Sequence, residues 1–338
     1  MNRSRTILLV GLVGVAVVAA FLLSRGSGGS QHIRPVRTVK ADDFLMGRIT
    51  ITHDGKRIAT SSWRSGSGGV LTGTVSLWNA DNWKLLATSV YSSIPEATFT
   101  QEDRTLLVSA FGGVEFRDGE TGALIRSVKD DQYKSAFEVS PDGRIMALAS
   151  IYGSTKSNVR LLSTEDGSLI RTIEVNTGEI DDLAFSPDGK LLATPGFEDY
   201  SVRLWNVSDG SPVRTMNGHT HWVYSVEFAP DGQTLASVAE DGTMRLWRVS
   251  DGQLLQTMKI GAPDDIAFSP DGTLVATGSS YDWVGVWRAS DGGKVASLVN
   301  EDDNIGSGGK VLSVRFSPDG KTVYGGTDDS TLRVWQLP

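Results

Sequence analysis

Pro-Asp-Gly recurs at Pro141, Pro187, Pro230, Pro270 and Pro318, each time after a short stretch such as Leu183-Ala184-Phe185-Ser186 or Val226-Glu227-Phe228-Ala229. Two weaker copies, Thr52-His53-Asp54-Gly55 and Thr100-Gln101-Glu102-Asp103, extend the pattern toward the N-terminus. The turn aspartates therefore stand at positions 54, 103, 142, 188, 231, 271 and 319. Their mean spacing of about 44 residues matches a four-stranded propeller blade, not a helical repeat. A chain of 338 residues with this periodicity is one array, although its length alone also admits two domains.

Local chemistry agrees. In Ser-Pro-Asp-Gly, Pro presets φ for a turn, the Asp side chain bonds nearby backbone, and Gly supplies the freedom the last position needs. A small apolar strand follows each turn, for example Leu191-Leu192-Ala193-Thr194. An alternating strand ending in an aromatic comes next: Val202-Arg203-Leu204-Trp205, Met244-Arg245-Leu246-Trp247, Val284-Gly285-Val286-Trp287 and Leu332-Arg333-Val334-Trp335. Period-two alternation predicts strands. Ser-Asp-Gly turns at Ser208, Ser250 and Ser290 lead to a fourth strand such as Pro212-Val213-Arg214-Thr215-Met216. With 38 glycines, about 11% of the chain, tight turns dominate and long helices are not expected.

At these residues the chain resembles the WD-repeat β-propeller family over nearly everything from residue 33 to 338. The resemblance places His219, Ser237, Asp241 and Trp247 in the family's hydrogen-bonded tetrad, with Asp199 and Asp329 at the equivalent aspartate position. Departures are visible: Asn79, Asn206, Arg248, Arg288 and Gln336 follow the tryptophans where the family has Asp, and Phe116 and Leu162 replace Trp. These departures point to a divergent, bacterial member. The expected fold is all-β, a seven-bladed propeller preceded by one membrane-spanning or signal-anchor helix. The seventh repeat stops one strand short, and an uncovered edge is prone to pair with other chains. Pro35-Val36-Arg37-Thr38-Val39 reads almost like Pro212-Val213-Arg214-Thr215-Met216, so this segment is expected to close blade seven.

Ile7 to Leu23 is almost wholly aliphatic, about the length that spans a bilayer, with Arg3 and Arg5 before it and Ser24-Arg25-Gly26-Ser27-Gly28-Gly29-Ser30 after it. The domains are read as an anchor over 1–24, a Gly/Ser linker over 25–31 and the propeller over 32–338. The apolar run continues past Ala19-Ala20 through Phe21-Leu22-Leu23, which favours a retained anchor over cleavage. Basic residues on both flanks leave the positive-inside rule without a clear vote. Signal-like order and the absence of Cys favour an exported propeller, periplasmic or at the cell surface. The outer strand runs away from the Pro-Asp-Gly face, so the tether is expected to leave on that face and the opposite face to point away from the membrane.

Absence of Cys excludes disulfides, thiolate metal sites and cysteine nucleophiles. From residue 32 onward, 29 basic side chains face 40 acidic ones, an acidic balance that argues against nucleic acid. Basic partners or small ligands fit better. Aligning inner strands on Phe228 puts Tyr133, Glu179 and Trp222 at the distal mouth, with Asp181, Tyr224 and Asp264 two residues further in. His221, Trp222 and Tyr224, beside Asp181-Asp182 and Asp264-Asp265, read as an aromatic and acidic patch for a protein or peptide partner. Trp283, Trp63, Arg64, Tyr152 and Tyr281 extend it. The same pattern fits ordinary propeller surface with solvated acids.

Ser61 to Gly73 reads as a flexible flap, because no Gly-Lys-Ser/Thr follows it. The family resemblance implies a non-enzymatic scaffold, without cofactor or metal. Two alternatives are a propeller enzyme of the lactonase or quinone- and metal-dependent type and a glycan-binding module stacking on Trp222, Trp283 and Tyr133. The enzyme reading lacks convergent channel ligands, since Gly47, Pro95, Ser135 and Leu312 occupy the inner ring.

Overall fold

The computed structural model describes residues 31–40, 45–65, 71–100, 102–130, 134–150, 157–175, 178–279, 283–299 and 310–338. Their regular structure is β throughout, in seven sheets of four or five strands. Five blades are plain meanders whose strands pair in chain order, from Leu45–Ile51 through Leu85–Tyr91 in blade one to Val223–Phe228 through Leu254–Lys259 in blade five. Each Ser-Asp pair at the inner turns closes its loop the same way. Ser186 Oγ donates to Asp188 Oδ1 at 2.7 Å, and Asp188 Oδ1 accepts from Lys190 N at 3.1 Å, fixing the turn the sequence encodes.

Two N-terminal strands close the ring. β1 (Gln31–Ile33) and β2 (Arg37–Lys40) are separated by three residues. β2 is antiparallel to the last strand, Thr331–Gln336, with Arg37 opposite Val334 and Lys40 opposite Thr331, and completes blade seven. Blade six carries an addition that the repeat pattern does not encode: β1 joins it in parallel as a fifth strand, with Gln31 opposite Ala296 and Ile33 opposite Leu298. Strand therefore begins at Gln31, inside the stretch read as linker. The anchor over 1–24 and the rest of the linker lie outside the described residues. Among those described, no helix is long and apolar enough to cross a membrane.

The core lies between blades. Clusters of buried side chains each join two neighbouring sheets, and the N-terminal strands enter two of them. Ile33 packs with Val286, Leu298 and Phe316 between blades six and seven. Val39 packs with Ile49, Ile58, Trp78, Trp83 and Tyr324 between blades seven and one. Each inner strand enters at one face of the ring, here called the mouth face, and leaves at the face bearing the Pro-Asp-Gly turns.

The ends of the stretch read as a flap, Ser61 to Ser65 and Leu71 to Gly73, are strand. Arg57–Ser65 pairs with Leu71–Asn79, Trp63 opposite Gly73, and Ser62 Oγ lies 2.6 Å from Thr74 Oγ1. Hydroxyl pairing across the ladder satisfies polar side chains that the composition alone assigns to a loop. The intervening residues 66–70 lie outside the described residues.

Candidate functional site at the mouth of the channel

Blade five is braced by one hydrogen-bonded chain. His219 Nδ1 lies 2.9 Å from Asp241 Oδ2, its Nε2 lies 2.7 Å from Ser237 Oγ, and Trp247 Nε1 donates to the same Oγ at 2.8 Å. Burial pushes the His219 pKa down despite the neighbouring carboxylate, so the imidazole is held neutral as a structural link. Among the described residues, blades one, four and six keep only the end of this chain: Trp78 Nε1 donates to Thr60 Oγ1 at 3.1 Å, Trp205 Nε1 to Thr194 Oγ1 at 3.0 Å and Trp287 Nε1 to Thr277 Oγ1 at 3.3 Å.

His219 leads directly into the mouth. Phe197 and Trp222 stack with ring centroids 4.3 Å apart, Trp222 meets His221 edge-on at 4.9 Å, and His221 stacks on Tyr200 at 5.6 Å. Four rings from two adjoining loops thus form one half-buried shelf. Val223 N donates to Gly196 O at 3.4 Å where the two loops meet, and Glu240 N, from the next turn of blade five, donates to Trp222 O at 2.8 Å. His221 Nδ1 lies 2.7 Å from Glu240 Oε2. Burial and a hydrogen bond to Glu240 push the Tyr224 pKa up, as do the charges of Asp264 and Asp181. Those two acids therefore stand close to Tyr224, and the structure brings Trp222, His221, Tyr224, Asp181 and Asp264 into one neighbourhood. Tyr133, Tyr152 and Tyr281 lie outside the described residues. Trp283 opens the strand Trp283–Arg288, but its side chain is also outside them.

Below the shelf the channel differs from its sequence reading. Gly47, Pro95 and Leu312 do not define its wall, and the Ser135 side chain lies outside the described residues. A cavity of about 290 Å³ is lined instead by residues one and three places before the end of each inner strand, including Arg48, Glu96, Glu138, Asp182, Glu227, Asp265 and Arg315. The seven blades contribute one each. Alternation carries these side chains inward, whereas the sequence alignment followed positions four and six places back, which lie at the rim. A charged residue at either inward position of every blade was the signal available to find them.

These groups work first as fasteners. Glu96 accepts from Phe137 N at 2.9 Å, Asp182 from Val226 N at 3.0 Å, Glu227 from Phe268 N at 3.3 Å and Asp265 from Val314 N at 3.0 Å. Every one of these bonds crosses to the next blade. The pairs Asp181-Asp182 and Asp264-Asp265 are therefore split: the first member faces the mouth and the second serves the wall. Arg48 reaches across the channel, its Nε 3.4 Å from Glu96 and a terminal nitrogen 2.8 Å from Asp182. Arg315 pairs with Asp265 at 2.7 Å. Burial raises the acids: Glu96, Glu138 and Asp181 are pushed up to about 7 and Glu227 to about 8, against the pull of the arginines. Among the described residues no group of three or more His, Asp or Glu is arranged to hold a metal ion.

Blades, seam bonds and tetrad define a seven-bladed β-propeller. The WD domain, G-beta repeat family matches residues 167–206, 210–248, 256–288 and 303–336. Those four repeats, together with the seven blades, support a WD-repeat propeller, a fold compatible with a protein-binding scaffold. No curated protein matches the sequence.

Proposed function

We propose that this chain is a non-enzymatic interaction platform, tethered to a membrane through Ile7 to Leu23, that binds a protein or peptide on its mouth face. The observation carrying this reading is the aromatic shelf of Phe197, Trp222, His221 and Tyr200 beside Tyr224, Glu240, Asp181 and Asp264. Rigid amphipathic rings offer contact area at low entropic cost, and neighbouring carboxylates select a basic partner. The non-enzymatic reading is supported by the commitment of the channel carboxylates Glu96, Asp182 and Asp265 to bonds with neighbouring blades. The exported orientation rests on the signal-like N-terminal segment and the lack of Cys.

The test is cross-linking and mass spectrometry with the full chain, compared with a folded variant carrying Trp222→Ala, Tyr224→Ala, Asp181→Ser and Asp264→Ser. Partners recovered by the native chain and lost in the variant are expected. Identical recoveries would return the shelf to ordinary surface. Protease protection in intact cells checks the topology. Digestion only after both membrane faces are opened would overturn the exported orientation.

A further inference from the structure

The mouth face has a second apolar feature, on blade two. Phe111 is 62% exposed and Ile94 41% exposed, although both sit on braced loops. Ser93 Oγ accepts a hydrogen bond from Phe111 N at 2.9 Å, joining the two loops. Behind them the Ser93–Pro95 segment presses on Gly73: a Cβ there would meet Ser93 O and Pro95 Cδ at 2.2 Å each. The backbone holding Ile94 is thus fixed by close packing, and its side chain is left toward solvent.

Acidic ground separates this patch from the aromatic shelf. Glu96 lies two residues beyond Ile94 and Asp181 stands beside Tyr224, with one guanidinium between them. Arg48 contacts Glu96, and it also touches Asp182 Oδ1 at 2.8 Å and Asp181 O at 3.1 Å. The channel just below the mouth is therefore narrow enough for a single side chain to bridge blade two and blade four. Glu138 and Glu227, one place before their strand ends, lie deeper in the channel, whereas Asp181 and Asp264 stand beside Tyr224 at the mouth. The carboxyl groups on the mouth side are thus Asp181 and Asp264, in a propeller whose 40 acidic side chains outnumber its 29 basic ones.

We infer that the mouth takes an extended basic segment of a partner protein, laid across the channel with one apolar residue on Ile94 and Phe111 and another on the Trp222 shelf. The inference rests on the mouth-face reading above and adds a second anchor and a direction. A second copy of the chain fits poorly, since two such mouths face to face would repel. An apolar anchor alone does not explain the acids, and a polycation alone does not explain Phe111.

The test pans a display library of random peptides against the full chain in nanodiscs, then measures enriched peptides by fluorescence anisotropy on native protein, Phe111→Ser, Ile94→Ser and Trp222→Ala, each checked for native melting. Enriched peptides are expected to carry Lys or Arg between apolar residues and to bind more weakly as salt rises. Each substitution is expected to weaken binding about tenfold, the scale of one buried apolar side chain. An empty selection, or enriched peptides without basic residues, overturns the inference. Binding lost in Trp222→Ala but unchanged in Phe111→Ser and Ile94→Ser removes the second anchor and leaves the proposed function standing. Binding unchanged in all three removes both.

Discussion

At the scale of single residues, two aromatic side chains occupy turn positions that glycine holds in sister blades. Tyr200 has φ of 60° five residues before Trp205, where blade five has Gly242 before Trp247, and Trp83 has φ of 61° where blade four has Gly210. Bulky residues enter this left-handed region only when their surroundings hold them there. Tyr200 stacks on His221 at the mouth, so Tyr200→Gly is expected to raise unfolding free energy by about 1 kcal/mol, read from urea titration, while weakening partner binding. Trp83 serves the closing seam instead, packed near Tyr324 with the Arg37 guanidinium 5.6 Å from its ring. Trp83→Gly is expected to cost about 3 kcal/mol net in the same titration, because lost burial outweighs relieved strain. In the tetrad, Ser237→Ala strips His219 and Trp247 of their shared partner and should cost about 1–3 kcal/mol. The channel acids predict a pH signature. Their native pKa values, about 7 for Glu96 and Glu138 and about 8 for Glu227, lie above ordinary carboxylate values. Their contribution is thus fully present below about pH 4.5 and is lost as pH rises through 7 and 8. Melting temperature should fall across that window, and Glu227→Gln should flatten the fall; an unchanged slope would refute the assignment.

Among elements, the blades were legible because their determinants are local: turn residues, period-two alternation and terminal tryptophans act within a few positions of one another. The outer strand of blade seven was legible too, because Pro35-Val36-Arg37-Thr38-Val39 repeats a strand written elsewhere. β1 was not. Three residues have no periodicity to read, and their pairing depends on an exposed edge that only the assembled sheet presents. The channel was missed for a related reason: Glu96, Glu138 and Glu227 are unremarkable singly, and their convergence is a property of the ring. Removing residues 31–40 should strip blade seven of its outer strand, blade six of its fifth, and both closing cores of Ile33 and Val39. The expected result is a large drop in melting temperature with aggregation through the bared edges, seen by light scattering. A deletion variant that melts like the native chain would remove this account of closure.

For the whole molecule, the ring makes first and last parts of the chain neighbours. β2 is synthesised before the strands of blades one to six, yet its partner strand Thr331–Gln336 is made only after them. The early strand must stay unpaired while the other blades emerge, and pairing across so long a separation is slow. During that interval the incomplete array presents a sticky margin, the form of such a chain most exposed to misassembly. A helper that masks this margin, or a compartment where the chain arrives whole before folding, would change the yield of native protein without touching any finished contact.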